Sequence, residues 1–152
     1  MAKTINESFE FEGWSPEEIY QVFTDSKKLT ELTGYDTKIG KNTGDDFMAL
    51  NGGVKGQILH MVPGRMIVAS WRWLVRRKEL ADSILVMVFN GYEGGTKIEV
   101  SNANLPEDEQ PFMNKDNFWN CIRDYMNTEM EKRRAAERKK QEKAKEKQTA
   151  KT

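Results

Sequence analysis

Between Ser15 and Gly34 the chain carries start and stop signals for two short helices in tandem, SPEEIYQVFTDSKKLTELTG, and this stretch organises everything on either side of it. Ser15 followed by Pro16 and Glu18 has the form of a capping box. The Ser15 hydroxyl accepts from the Glu18 backbone N–H, the Glu18 carboxylate accepts from the Ser15 N–H, and Pro16 sits at the first helical position, where no N–H is needed. Ile19, Tyr20, Val22 and Phe23 then recur at helical spacing. Asp25 is placed to cap a second helix with Leu29 and Leu32 on its apolar side, and Gly34 supplies the left-handed stop. Two amphipathic helices this short do not make a core by themselves; they close one end of a larger layer.

From Gly34 to Asn104 the pattern changes from helical to alternating. Asn51-Gly52-Gly53, Pro63-Gly64 and Gly94-Gly95 are hairpin chemistry, because glycine and asparagine tolerate the positive φ of tight turns. The economical reading is an antiparallel meander. Thr96 to Asn102 places Ile98 and Val100 on one face and Lys97 and Glu99 on the other, as a half-buried strand does. Met66 to Trp73 and Ile84 to Phe89 are apolar on both faces and call for a cover. After Pro111, the residues Phe118, Trp119, Ile122, Tyr125, Met126 and Met130 form a broad apolar stripe at spacing three and four, so a long helix is expected to lie across the sheet. Ile5 to Phe11 reads as a further strand. At 152 residues the chain is sized for one domain.

The order of strand, two short helices, meander and long helix, with Ser15-Pro16-Glu17-Glu18, Tyr20, Phe23, the Gly52/Gly53 and Gly56 region, Pro63, the Ile67 to Arg72 strand with its Trp-Arg pair, Ser83, Gly95-Thr96, Pro106 and Trp119, resembles the domain family named for the activator of heat-shock protein 90 ATPase. The resemblance runs over roughly residues 5 to 130. It implies an α+β fold of the START-like, Bet v 1-like helix-grip type: a curved antiparallel sheet wrapped around a long C-terminal helix, with the two short helices plugging one end. In the eukaryotic co-chaperone this domain is the C-terminal half, and a separate N-terminal domain contributes strongly to ATPase stimulation. The resemblance therefore implies a non-enzymatic interaction module with a heat-shock protein 90-type chaperone as partner. The wider superfamily often binds apolar small molecules between sheet and helix, which makes carriage of such a ligand the alternative.

Walls for such a cavity are expected from Phe47, Trp71 and Trp73 on the sheet and from Phe118, Ile122, Tyr125 and Met126 on the helix; close packing favours the same side chains filling the interior instead. Partner contacts are expected at Arg72, Arg76, Arg77 and Lys78, a cationic cluster around the loop after the Trp-Arg strand that also reads as an ordinary charged loop. Catalysis has no visible apparatus. His60 shares a strand parity with Ile58 and reads as a structural, half-buried histidine. Cys121, the one cysteine, reads as a small apolar filler beside Trp119 and Ile122, and with one histidine there is no Cys/His cluster, so no metal and no cofactor are expected. Glu107-Asp108-Glu109 reads as negative charge placed at the start of the last helix.

Formal charge sums to zero, yet residues 131–152 hold ten Lys/Arg against four Asp/Glu, so this tail is +6 and the body −6. The tail has no side chain larger than alanine among its apolar residues and cannot pack into a core. The expected division is a domain over 1–130 and a solvated, partly helical tail over 131–152. Without aromatics to stack on bases, the tail is not a specific nucleic-acid site. No apolar run approaches the ~20 residues of a membrane span, and MAKTINESFEFEG lacks a signal-peptide core, so a cytoplasmic protein is expected.

Overall fold

The computed structural model describes residues 2–109 and 118–150. Seven strands form one antiparallel sheet: β1 (Lys3–Glu12), β2 (Lys38–Ile39), β3 (Asp46–Ala49), β4 (Val54–Val62), β5 (Met66–Trp73), β6 (Ser83–Tyr92) and β7 (Gly95–Leu105). Their order across the sheet is β1-β7-β6-β5-β4-β3-β2, a meander in which the first strand closes against the last. Two short helices, α1 (Pro16–Phe23) and α2 (Ser26–Thr33), sit between β1 and β2, and a long helix, α3 (Phe118–Ala150), ends the chain. This is the curved-sheet, helix-grip α+β architecture that the motif order anticipates.

The local signals act as they should. Ser15 Oγ accepts from the Glu18 N–H at 3.2 Å while Glu18 Oε1 accepts from the Ser15 N–H at 3.1 Å, closing the capping box. Asp25 Oδ1 accepts from the Lys28 N–H at 3.0 Å, and Gly34 ends α2 at φ 77°. Between β3 and β4 the chain makes a short 3-10 turn, Leu50–Gly52, in which Asn51 and Gly52 both take the left-handed region at φ 59° and 88°.

One face of the sheet carries the core. Phe9 and Phe11 of β1, Ile98 and Val100 of β7, Leu85, Met87 and Phe89 of β6, and Ile67, Ala69, Trp71 and Trp73 of β5 alternate inward, with Phe9 opposite Ile98 and Met87 opposite both Val100 and Ile67. From α1, Tyr20 and Phe23 meet the Phe89 ring edge-on at 5.5 and 5.9 Å. Ile122 and Met126 of α3 are fully buried against the same surface. Each such side chain contributes about 1.5–3 kcal/mol of transfer free energy, so the alternating strands and the α3 stripe together hold the layers.

One expectation changes here. Ile58 is buried but His60 is exposed, because the β4–β5 register slips between Ile58 and His60. The extra residue at this bulge reverses the alternation beyond it. Within the charged run Glu107-Asp108-Glu109, Glu109 reaches back onto Arg76 of the β5–β6 loop, 33 residues away. Residues 131–147 of α3 are exposed throughout, so the helix leaves the domain and continues into solvent. Among the described residues no helix is long and apolar enough to cross a membrane.

Candidate partner-binding loop and interior cavity

The residues between β5 and β6 form a braced loop rather than a loose cationic one. Arg72, the last arginine of β5, donates from Nε to Asp82 Oδ1 at 2.6 Å, from Nη1 to the Arg77 carbonyl at 3.2 Å, and from Nη2 to the Leu80 carbonyl. One guanidinium thus ties both ends of the loop, using the fixed fork geometry that lysine lacks. Arg76 turns the other way. Its side chain is completely buried, donates from Nε to Glu109 Oε1 at 2.8 Å and from Nη1 to the Ala81 carbonyl at 3.1 Å, and lies 5.3 Å from the centre of the Trp71 ring. The Leu74 N–H donates to the Gly53 carbonyl at 3.0 Å, and Asn104, held at φ 58°, donates from its side chain to the Asp82 carbonyl at 3.1 Å.

Of the four cations expected to meet a partner, Arg77 and Lys78 are exposed, Arg72 is partly exposed and occupied in bracing, and Arg76 is an internal strut. Sequence reasoning passed over the apolar pair between them. Leu74 and Val75 are 63% and 91% exposed, a combination costly enough in water to stand out on a loop so firmly held. The tip therefore offers Leu74, Val75, Arg77 and Lys78 on a rigid base: apolar contact with cations beside it. The signal was legible as two aliphatic residues inside a charged run, just past a strand end.

The interior contains a cavity of about 70 Å³ lined by Phe23, Leu29, Ile39, Phe47, Ile67 and Met87, among others. Thr37 is its polar contribution. It lies beneath α1 and α2, away from the wall expected along α3. Of the anticipated lining residues whose side chains are described, only Phe47 borders it. Trp71 and Trp73 instead pack edge-to-face at 5.7 Å, and Ile122 and Met126 are buried to within 1%. Tyr125 is half-buried under Lys28, whose Nζ lies 5.5 Å from the ring centre and whose ammonium is held in its charged form above the ordinary lysine range chiefly by the Tyr125 hydroxyl. Phe118 opens α3, and its side chain lies outside the described residues. A dry apolar cavity that binds benzene measures about 150 Å³, so this one admits only a smaller guest unless α2 moves.

A third constellation joins the long helix to the front of the chain. Arg133 stands 4.1 Å above the Trp14 ring and pairs with Glu18 Oε2. The arginine holds the Glu18 carboxyl below the usual carboxylate range. The capping box thereby serves twice, starting α1 and anchoring α3.

A profile of the family described as "Activator of Hsp90 ATPase homolog 1-like protein" matches residues 14–131. The chain belongs to this family. Human activator of 90 kDa heat shock protein ATPase homolog 1 is 27% identical over 96 residues, which are 63% of this chain and 28% of that protein; the mouse protein of the same name is 26% identical over the same span. The chain thus matches little more than a quarter of these relatives' length. Among solved structures, an HSP90 activator from Plasmodium falciparum superposes with a TM-score of 0.64 at 22% identity, covering 76% of this chain and 86% of that one. The Aha1 dimer from Colwellia psychrerythraea gives 0.65 at 16% identity, covering 82% and 94%, and CalU16 from Micromonospora echinospora gives 0.64 at 21%, covering 86% and 80%. At these identities the structural neighbours establish the fold of this Hsp90-activator-like domain and nothing finer.

Proposed function

We propose that this Hsp90-activator-like domain is a non-enzymatic interaction module that docks on a heat-shock protein 90-type chaperone through the braced β5–β6 loop. The observation that carries the reading is the exposed Leu74–Val75 pair, flanked by Arg77 and Lys78 and fixed from behind by Arg72 and Arg76, in a chain whose curated relatives are named activators of that chaperone's ATPase. An ordered loop loses little conformational entropy on binding, and its apolar tip gains contact area when a partner covers it. A cytoplasmic place of action accompanies this reading.

The test is isothermal titration of the protein with a purified heat-shock protein 90, with and without a non-hydrolysable ATP analogue. Wild type is expected to bind, and Leu74→Asp with Val75→Asp to weaken binding at least about tenfold without changing the melting temperature, as expected for exposed contact residues. Absence of binding by wild type at high micromolar concentration in both nucleotide states refutes the chaperone reading. Wild-type binding that the double variant leaves unchanged refutes the loop as its contact.

Carriage of an apolar molecule is the second reading, motivated by the cavity beneath α2. Because that cavity is about 70 Å³ and ligand pockets usually measure about 300–1,000 Å³, the reading requires α2 to swing out. Native mass spectrometry of the purified protein that retains no apolar adduct, together with no saturable change in tryptophan emission on adding fatty acids, refutes it.

A further inference from the structure

Past Arg133 the long helix carries a charge pattern that its own stability does not call for. At 100° per residue, Ala136, Lys139, Lys140, Lys143 and Lys147 fall within an arc of about 100° and along about 16 Å of axis; Lys132, in the same arc one turn earlier, is already paired with Glu129. Between Ala136 and Lys147 no carboxylate lies inside that arc. Glu142 and Glu146 border it on one side and Glu137 on the other. Lys139, Lys143 and Lys147 stand at i, i+4 and i+8, a row of like charges that opposes helix formation. Among the described residues, Lys139, Lys140, Lys143 and Lys147 make no ion pair, and all four are exposed. The Arg133 contacts with Trp14 and Glu18 fix the direction in which this stretch of helix leaves the domain, so the stripe is presented on an arm with a defined base.

We propose that this stripe is a docking surface for an acidic helix of a partner protein. Charge complementarity selects an anion, and the width of the stripe selects its shape. A partner helix about 10 Å across meets the lysines and avoids Glu137 and Glu142, which stand about 60° outside the arc, whereas the broad charge of a nucleic-acid duplex or an anionic bilayer also faces them. No apolar residue larger than alanine is available to enter a membrane, and no aromatic is available to stack on a base. Ala136, at the N-terminal end of the row, lets the two backbones approach. This surface is separate from the β5–β6 loop and stands or falls without it.

The test uses the full chain and a labelled alanine-rich helical peptide of about 24 residues with glutamates at i, i+4, i+8 and i+12, followed by fluorescence anisotropy at about 50 mM salt. Lys139→Glu, Lys143→Glu and Lys147→Glu together are expected to weaken binding by about tenfold or more, and Arg134→Glu, Arg138→Glu and Lys145→Glu, which change the charge equally on the opposite side, by less than about threefold. Circular dichroism checks that both variants keep their helix. Equal losses in the two variants overturn the proposal, since net charge alone then explains binding. So does tighter binding by wild type of an RNA duplex or of phosphatidylserine vesicles at the same salt, or no binding of the peptide at all.

Discussion

Replacing Arg76 decides whether the cluster after β5 is surface or structure. The guanidinium is wholly excluded from water and is satisfied by Glu109, by the Ala81 carbonyl and by the Trp71 face. Removing one member of a buried pair costs about 3–5 kcal/mol, mainly because the remaining charge is stranded. The two members are not equivalent. Glu109 retains 18% side-chain exposure, so in Arg76→Ala its carboxylate can turn toward water and the loss should fall to about 2–3 kcal/mol. In Glu109→Ala the guanidinium has no such exit, and the loss should reach about 3–5 kcal/mol. Replacing both by apolar residues, Arg76→Met with Glu109→Leu, should recover most of that, to within about 1 kcal/mol of wild type. Urea unfolding followed by far-ultraviolet circular dichroism reads all four proteins, and the double-mutant cycle gives the coupling. A loss below about 0.5 kcal/mol for Arg76→Ala is the range of a solvated surface residue and would refute the strut.

The other predictions concern close packing and the α3 anchor. At Gly56 an added Cβ would stand 1.8 Å from the Ser70 carbonyl oxygen and 2.5 Å from the Phe47 ring, so Gly56→Ala should destabilise by about 1–3 kcal/mol and lower the urea midpoint. Arg133→Ala should cost about 0.5–1.5 kcal/mol at neutral pH, combining a half-exposed ion pair with the contact on Trp14, while truncation from Arg134 onward should leave the midpoint unchanged. Because Arg133 depresses the Glu18 carboxyl, the ion-pair part of that difference is fully present above the ordinary glutamate value of 4.5 and is lost as pH falls through the lowered one, so wild type and Arg133→Ala should converge in acid melting curves.

What could be read from the chain follows from how far each cause reaches along it. The capping box, the Asp25 cap and the Gly34 stop each depend on residues three or four apart, and strand parity depends on residues two apart, so these and the order of elements are legible in the sequence alone. His60 was misread because a one-residue bulge after Ile58 reverses every later side chain of β4, and no local composition marks it. Arg76 looked like its neighbours Arg77 and Lys78 because what distinguishes it, Glu109, arrives from beyond two further strands. The sequence placed any cavity along α3 and favoured its large aromatics filling that space. Here Trp71 and Trp73 pack on each other, with Arg76 over Trp71, and the remaining space is lined by the small Ala49, Ala69 and Thr37 near Leu29 of α2. The same burial that removes Arg76 from the surface is what holds Leu74 and Val75 out in solvent, since a loop pinned at Arg72 and Arg76 cannot fold its apolar tip back onto the sheet. Interior strut and exposed tip are therefore one device: loosening Arg76 should free the loop to bury Leu74 and Val75, weakening partner binding without altering a single residue at the contact.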